Sequence, residues 1–388
     1  MPEQTVNCDI LICGGGMAGL SLLVRAFKAG LWKDQQIIVL DRSQKRENDK
    51  TWSFWKAQDS AFEELISHSW KDMVFFSHAG KKIVLDNGDY TYNSIRSIDF
   101  YTYAHRYLKQ FPNLCFVRAE ITHIRSAGGR CFLETPAAVY ESRYLYNSVC
   151  NSFPEKKGEI RLLQHFKGWR IRTKAALPDP PAAWLMDFRT EQKHGTTFFY
   201  TLPVSANEVF IEYTLFSAAL LAEEEYDEQI RLYLAQVLHI SEYTLEEQEY
   251  GVIPMTDHRF ARFEGNIIHI GTAGGDTRGS TGYTFTHTQQ TIGRILQSVL
   301  TSGHPFFKKE PIGWKHQLYD AALLRVLAER SYPGHEIFTD LFSQVPARML
   351  FAFLDAESSF REDTQIMSAL RVKPFLLAMA EAVAARIS

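Results

Sequence analysis

The chain has 388 residues, a formal net charge of −3 at pH 7 and 45% hydrophobic residues, which provide a large core for roughly two to three domains. The slight negative charge and the lack of a dense Lys/Arg run exclude the electrostatic footprint of a nucleic-acid-binding protein. Five cysteines, without a Cys-x-x-Cys pair or a zinc-like Cys/His cluster, indicate reduced cytosolic thiols. No stretch reaches the roughly 18 to 20 apolar residues of a membrane span, so we expect none.

The first predicted elements are a strand, a glycine-rich turn and a helix. The apolar run at residues 10–12 leads into the pattern G-x-G-x-x-G, which continues into an amphipathic helix. In this context the first glycine permits a tight turn, the second lets the backbone approach a pyrophosphate, and the third lets the helix pack on the strand. The helix N-terminus offers free N–H groups to the phosphates. The predicted pyrophosphate-binding residues are Gly14, Gly15, Gly16, Met17, Ala18 and Gly19.

A second apolar strand at residues 37–40 ends at Asp41, 22 residues after Gly19. An acid at this position accepts a hydrogen bond from a ribose hydroxyl in dinucleotide-binding folds. The flanking strands and the acid make the glycine pattern specific, so we predict a dinucleotide site that includes Asp41 and the adjacent Arg42.

A polar loop follows and ends in the string N-D-K-T-W-S-F-W at residues 48–55. Polar groups beside flat aromatic rings suit the wall of a cofactor site. A loop that anchors its aromatic residues in the core would have the same composition, and chemistry alone does not decide between the two. The residues of this loop assigned to the cofactor are Asp49, Lys50, Thr51 and Trp52.

The next segment is expected to interrupt the nucleotide fold after its second strand. The spacing predicts a short helix over 61–70, paired strands over 73–92 with a turn at Asn87-Gly88, and a helix over 99–111. A set of strands at 115–117, 121–124 and 131–135, with a turn at Gly128-Gly129, and a strand at 144–149 would then complete the insertion and return to the first sheet.

Residues 162–253 predict a second sheet, in which 196–203 and 208–216 form a hairpin. Glu212 lies inside its apolar second strand. A buried carboxylate is costly unless it is paired or protonated, and burial raises its pKa toward the range of a general acid. By alternation alone, Glu212 is equally compatible with an outward position in water. The acidic run at 223–225 is interpreted as the start of the helix that follows it.

A second strand–glycine loop–helix unit starts at residues 267–270, 255 residues after the first loop when counted from Gly16 to Gly271. A second loop of this kind closes over the ribityl chain of a large cofactor and directs a helix N-terminus at its ring system. Two such loops indicate FAD rather than a free nicotinamide dinucleotide. The residues assigned to the cofactor here are Gly271, Thr272, Ala273, Gly274, Gly275, Thr281, Gly282 and Tyr283.

The C-terminal part is predicted to be helical over 318–327, 336–342, 347–354 and 367–387, and prolines at 333, 346 and 374 punctuate it. Its large apolar content has two interpretations, which are compatible. The helices pack on the substrate sheet, or they surround a mouth through which an apolar substrate enters from a bilayer surface.

Several strings resemble the lycopene β-cyclases, a family within the flavoproteins that also include aromatic hydroxylases and geranylgeranyl reductases. They are N-D-K-T-W at 48–52, F-I-E-Y-T at 210–214, G-V-I-P-M at 251–255 and S-T-G-Y-T-F at 280–285, in addition to the first glycine loop. The second loop lacks the G-D-A-A-H of the hydroxylases, which counts against a hydroxylase. Tyr213 takes the place of a second acid that the cyclase motif often has.

The resemblance implies an α/β fold of the hydroxylase and geranylgeranyl reductase type. Residues 1–70, 96–155 and 256–303 would form a discontinuous, Rossmann-like FAD-binding domain. Residues 71–95 and 156–255 would form an inserted mixed β-sheet domain for the substrate, and residues 304–388 a C-terminal helical region.

The resemblance also implies a function. The enzyme would cyclise the linear ends of lycopene to β-ionone rings by carbocation chemistry, without net redox change, using reduced FAD and NAD(P)H as the reductant. Glu212 would be the catalytic acid, and the protein would be cytoplasmic with peripheral membrane contact. The alternatives are an FAD-dependent monooxygenase or prenyl reductase acting on an apolar substrate, and a flavin-dependent carrier without catalysis.

Overall fold

The computed structural model describes residues 5–56, 60–150, 156–177 and 182–387. Twenty strands and nine α-helices lie in these ranges. The strands are β1 (Thr5–Asn7), β2 (Ile10–Cys13), β3 (Ile37–Asp41), β4 (Thr51–Lys56), β5 (His68–Trp70), β6 (Met73–Phe76), β7 (Lys82–Val84), β8 (Thr91–Arg96), β9 (Leu114–Arg118), β10 (His123–Ala127), β11 (Arg130–Glu134), β12 (Val139–Ser142), β13 (Tyr144–Asn147), β14 (Arg161–Thr173), β15 (Ala183–Asp187), β16 (Thr196–Ser205), β17 (Glu208–Ser217), β18 (Tyr243–Thr256), β19 (Phe263–Glu264) and β20 (Ile267–His269).

The helices follow the predicted order along the chain. They are α1 (Met17–Lys28), α2 (Ser97–Leu108), α3 (Glu223–Gln236), α4 (Phe285–Ser302), α5 (Trp314–Ala328), α6 (Gly334–Gln344), α7 (Ala347–Leu354), α8 (Phe360–Ser368) and α9 (Val372–Ile387). Two 3-10 helices, Glu63–Leu65 and Gly271–Gly274, complete the described secondary structure. Within the described residues, each helix is too short or too polar to cross a bilayer.

A six-stranded sheet of order β19-β20-β13-β2-β3-β9 carries the first glycine loop. Its strands pair in parallel except β19, and β2 is buried along its whole length. Helices α1, α2 and α4 cover one face, where Ile10 and Ile12 point. The four-stranded sheet β1-β12-β11-β10 covers the other face, where Leu11 and Cys13 point. Burial on both faces explains why β2 is continuously apolar.

A seven-stranded sheet of order β18-β14-β17-β16-β15-β6-β7 forms the second layer. Along β17, side chains alternate between the two faces. Val209, Ile211 and Leu215 pack toward α3, whereas Phe210 and Phe216 face the core shared with the C-terminal helices. Glu212 therefore belongs to the second face, which carries the candidate site.

Two local predictions are wrong. Residues 61–70 do not form a helix, because Phe62 has a left-handed φ of 65° and only one 3-10 turn precedes β5. The turn at Asn87-Gly88 does not join paired strands, since β6 pairs with β7 and β8 joins β4 and β5 in a three-stranded sheet. Asn87 instead holds a loop, donating hydrogen bonds to the carbonyls of Lys71 and Tyr90.

The insertion pattern and the last helix also differ from expectation. The strand predicted at 115–117 is β9, which extends the six-stranded sheet rather than the inserted one. The nucleotide fold is therefore interrupted before β9, after β9 and again between β13 and β19. The helix predicted over 367–387 starts later, as α9 at Val372, and residues 367 and 368 end the separate helix α8. Pro374 lies in the first turn of α9, where a proline is tolerated because no intrahelical N–H bond is lost.

Two of the predicted segments, residues 71–95 and 304–388, meet at the seven-stranded sheet. Residues 71–95 supply β6 and β7 to the seven-stranded sheet and most of β8 to the three-stranded sheet. The C-terminal helices pack on the seven-stranded sheet through Leu324, Phe342 and Phe351.

Candidate active site

The first glycine loop has the geometry of a phosphate-binding turn. Gly14 has a φ of 101°, and a side chain there would collide with Ser148. A Cβ at Gly19 would collide with the Gly14 carbonyl, so this glycine lets α1 pack closely on β2. At Gly16, by contrast, a Cβ would meet no atom of the described residues within 4 Å. The loop therefore leaves free space only at the glycine expected to admit a pyrophosphate.

Asp41 lies at the end of β3, beside the glycine loop. Its carboxylate accepts hydrogen bonds from the backbone N–H of Gly15 at 2.8 Å and of Ser43 at 2.7 Å. Gly15 and Asp41 line a cavity of about 610 Å³ that His105 and Phe116 also line. Arg42 is exposed, and it lies outside the lining of this cavity.

A second cavity, of about 390 Å³, brings residues from distant parts of the chain together. It lies where α1, β4, the seven-stranded sheet and the N-terminus of α4 meet, so that a helix start opens into it. We call it the central cavity. The sequence-predicted residues that line it are Gly16, Met17, Ala18, Asp49, Lys50, Thr51, Trp52, Glu212, Gly271, Thr272, Thr281, Gly282 and Tyr283.

Three predicted residues of the second glycine loop lie elsewhere. Ala273 is buried in the 3-10 helix. Gly274 and Gly275 line a different cavity, of about 330 Å³, together with Arg262 and Glu310. A Cβ at Gly274 would collide with the His269 carbonyl, so this glycine serves the turn.

Two polar atoms on the wall of the central cavity are buried without a hydrogen-bond partner among the described residues. They are Gln164 Oε1 and Thr281 Oγ1. Gly282, with a φ of 74°, lies against Gln164, and a Cβ there would collide with Oε1 of the Gln164 side chain. Because buried polar groups are costly when unpaired, these atoms fit a site whose hydrogen bonds are completed by a bound polar ring system.

Glu212 is half-buried and lines the central cavity from β17. Thr214 Oγ1 donates a hydrogen bond to Glu212 Oε1 at 2.8 Å. Burial raises the pKa of the Glu212 carboxyl to about 7, and the Thr214 hydrogen bond and the Lys50 charge offset this only in part. Alternation alone allowed the Glu212 side chain to point either into the protein or into water. In the structure it points into the central cavity.

Sequence reasoning missed a second buried carboxyl, Glu249 on β18. Glu249 Oε2 accepts a hydrogen bond from Thr51 Oγ1 at 2.7 Å, and Oε1 is buried without a partner among the described residues. Burial, followed by the charge of Glu212, raises the pKa of Glu249 to about 8. The available signal was its place two residues before the string G-V-I-P-M in a strand that starts at Tyr243.

The pairing register places both glutamates in one row across the sheet. Gly168 on β14 lies opposite Glu212 on β17 and opposite Glu249 on β18. On β16, Tyr200 lies opposite Glu212. Because directly opposed residues project from the same face, the side chains of the row share one side of the sheet, and Gly168 contributes no side chain between the two glutamates.

Comparison with known proteins gives the family. A family model described as "Lycopene cyclase protein" matches residues 9–381. The chain belongs to the lycopene cyclase family. The resemblance indicated by the motifs is thus confirmed.

One relative and two solved structures are similar to this chain. A lycopene beta-cyclase of Pseudescherichia vulneris is 26% identical over 259 residues, which are 64% of this chain and 62% of that relative. A geranylgeranyl bacteriochlorophyll reductase-like protein of Thermoplasma acidophilum superposes with a TM-score of 0.58 at 11% identity, covering 97% of this chain and 96% of the other. A flavin-dependent monooxygenase in complex with FAD and substrate has a TM-score of 0.54 at 12% identity, covering 99% and 72%. These likenesses confirm the predicted fold class.

Tyr200 and Tyr283 line the central cavity of this lycopene cyclase family member, and further aromatic rings pack behind Tyr283. The Tyr200 and Tyr283 hydroxyls are 3.2 Å apart. The ring of Trp55 lies 4.2 Å from Tyr283 and 4.9 Å from Phe351, measured between centroids. Burial raises the pKa of the Tyr92, Tyr200 and Tyr283 hydroxyls, so all three stay neutral at physiological pH.

Proposed function

We propose that this protein is a lycopene β-cyclase, which converts the linear ends of lycopene to β-ionone rings and yields γ- and β-carotene without net redox change. The observation that carries the proposal is the position of Glu212. Its carboxyl, with a pKa raised to about 7, faces the same aromatic-walled cavity as the glycine loop. A polyene has no polar handle, so its activation requires an acid that is held protonated in a dry site.

The donor set supports FAD as the cofactor. The open space at Gly16 and the N-terminus of α1 would hold the pyrophosphate, and Asp41 would bind the ribose. The unpaired polar atoms of Gln164 and Thr281 would face the ring system. When bound in its reduced form, for which we propose NAD(P)H as the electron source, FAD supplies negative charge beside a developing cation.

Glu212 would transfer its proton to the terminal double bond of the polyene. The π electrons form the new C–H bond, the O–H electrons stay on the carboxylate, and the polyene end becomes a cation. The next double bond closes the ring onto this cation. A ring proton then leaves to a carboxylate of the site, and its C–H electrons become the ring double bond, so no electrons are gained or lost.

The walls of the central cavity would stabilise the cation and exclude water. The faces of aromatic rings attract cations by roughly 0.5 to 2 kcal/mol each, more when water is absent. Tyr200 and Tyr283 line the cavity together with Trp52 and Phe166. Because the tyrosine hydroxyls remain neutral, they do not compete with Glu212 as bases.

We further propose that the protein is cytoplasmic and contacts a membrane peripherally, because its substrate is a lipid. On α9, Val372, Leu376 and Leu377 are 59%, 61% and 57% exposed. Val372, Leu376 and the exposed Val383 share one helical face. The flanking Lys373 is exposed and is suited to anionic headgroups.

Expression in a lycopene-accumulating bacterium, with pigment analysis, tests the proposed function. We expect γ- and β-carotene in cells with the native chain and lycopene in cells with Glu212→Gln. Unchanged lycopene with flavin-loaded native protein would contradict the proposal. Consumption of NAD(P)H in proportion to product would instead indicate the alternative, an FAD-dependent monooxygenase or prenyl reductase.

A further inference from the structure

Glu249 is a buried carboxyl for which the proposed reaction has no role. It belongs to a cavity of about 260 Å³, which we call the rear cavity. Thr51, Leu202 and Phe210 line both the rear and the central cavity. Glu249 lines the rear one and Glu212 the central one, so the two carboxyls lie on opposite sides of a thin wall.

Gly168 and Phe210 form the middle of this wall. A Cβ at Gly168 would collide with the ring of Phe210 and would lie 3.0 Å from Cγ of Glu249. The ring therefore covers the glycine between the two glutamates. Two strand spacings separate the backbones of the glutamates, roughly 10 Å, and both side chains project from the same face.

Charged and titratable groups from every neighbouring element face this pair. Lys50, before β4, lowers the pKa of both carboxyls, and Glu247 on β18 raises that of Glu249. Burial and the charge of Arg170 lower the pKa of His68, so this histidine is neutral and adds no charge at pH 7. The charged and titratable groups that line the rear cavity with Glu249 are His68, Arg96, Asp99, Arg170 and Glu247, and those that line the central cavity with Glu212 are Lys45, Asp49, Lys50, Tyr92, Tyr101, Tyr200 and Tyr283.

We propose that Glu249 is a positioning residue that shares one proton with Glu212 across Gly168, so that the pair keeps a proton for the polyene end after its first ionisation. This inference rests on the proposed function. Its basis is the common register opposite Gly168, the burial of Glu249 and its unpaired oxygen, and the position of Glu212 on the neighbouring cavity wall.

The physical reason is the repulsion between two nearby negative charges. The first carboxylate opposes the formation of the second, so the two protons leave in separate steps that belong to the pair. Burial raises the pKa of both carboxyls, and the charge of Glu212 raises that of Glu249 further. Without Glu249, Glu212 would titrate in a single step and would lose its proton at a lower pH.

The experiment is a pH profile of cyclisation by purified protein loaded with reduced FAD. For Glu249→Gln we expect the alkaline midpoint of the rate to fall relative to the native chain, because no charge on residue 249 then opposes the ionisation of Glu212. Glu246→Gln is the matched control, because this glutamate lies on the same strand, is exposed and pairs with Arg172. It should leave the midpoint unchanged. Equal midpoints for the native chain and Glu249→Gln would overturn the inference.

A second measurement does not depend on activity or on the folding of Glu249→Gln. Infrared titration of the buried carboxyl band in Glu212→Gln should show Glu249 titrating at lower pH than in the native chain, because coupling is reciprocal. An unshifted band would show that the titration of Glu249 does not depend on Glu212, and it would overturn the inference that the two carboxyls share a proton. If the native chain made no cyclised product while the band shifted, the proposed function would be wrong, but the coupling between Glu212 and Glu249 would still be supported.

Discussion

Glu212 and Glu249 lie on different strands, yet both are paired with Gly168, so the two glutamates stand in one row across the sheet with a residue without a side chain between them. This relationship depends on three strands that are distant in sequence. It also explains how one face of an apolar sheet can hold two acids, because the charge of one favours the protonated form of the other.

The first prediction concerns Glu212. Glu212→Gln keeps the shape of the side chain but has no proton to transfer, and general acids contribute roughly 10² to 10⁴ in rate. We expect normal FAD absorbance and a loss of cyclisation of that order, measured by chromatography of the pigments. Glu224→Gln, at the exposed start of α3, should retain the native rate. A native rate in Glu212→Gln would place the acid elsewhere.

The second prediction concerns the glycine loop. Gly16→Val should fold and lose FAD, because the new side chain enters open space where the pyrophosphate is expected. Gly19→Val should instead lower the yield of folded protein, since its side chain collides with the Gly14 carbonyl. Circular dichroism and flavin absorbance separate the two outcomes. Full FAD occupancy in Gly16→Val would contradict the position of the site.

The third prediction concerns stability. Both glutamates have pKa values raised above 4.5, so the folded state holds protons that the unfolded chain has released. The free energy of unfolding should therefore decrease as the pH rises from about 4.5 to about 8. Urea titrations should show this slope in the native chain and a smaller one in the double variant Glu212→Gln, Glu249→Gln. Equal slopes would mean that the two acids are not perturbed by folding.

The fourth prediction concerns α9. Replacing Leu376 and Leu377 by Asp should reduce flotation with anionic lipid vesicles, because it adds charge to the exposed apolar surface of the helix. Val84→Asp is the control, since Val84 is 75% exposed on the distant edge strand β7. Equal flotation of all three proteins would remove α9 as the membrane contact.

Local patterns predicted the parts of the fold that depend on neighbouring residues. The strand–turn–helix at Gly14–Gly19 and the hairpin that carries Glu212 follow from periodicity and glycine spacing. The partner of β8 could not be predicted, because its pairing with β4 and β5 is set by residues far away in sequence. Glu249 was missed for a related reason. It follows Glu246 and Glu247 in an acidic run typical of a solvated strand, and only the register opposite Gly168 reveals its burial.

The central claim is that the reaction cyclises lycopene without net transfer of electrons. The most direct measurement is the product formed under anaerobic conditions by protein whose FAD has been reduced with dithionite, without NAD(P)H. We predict many equivalents of cyclised carotenoid per FAD in the native chain and almost none in Glu212→Gln. Product limited to one equivalent per FAD would contradict the claim and would identify a reductase.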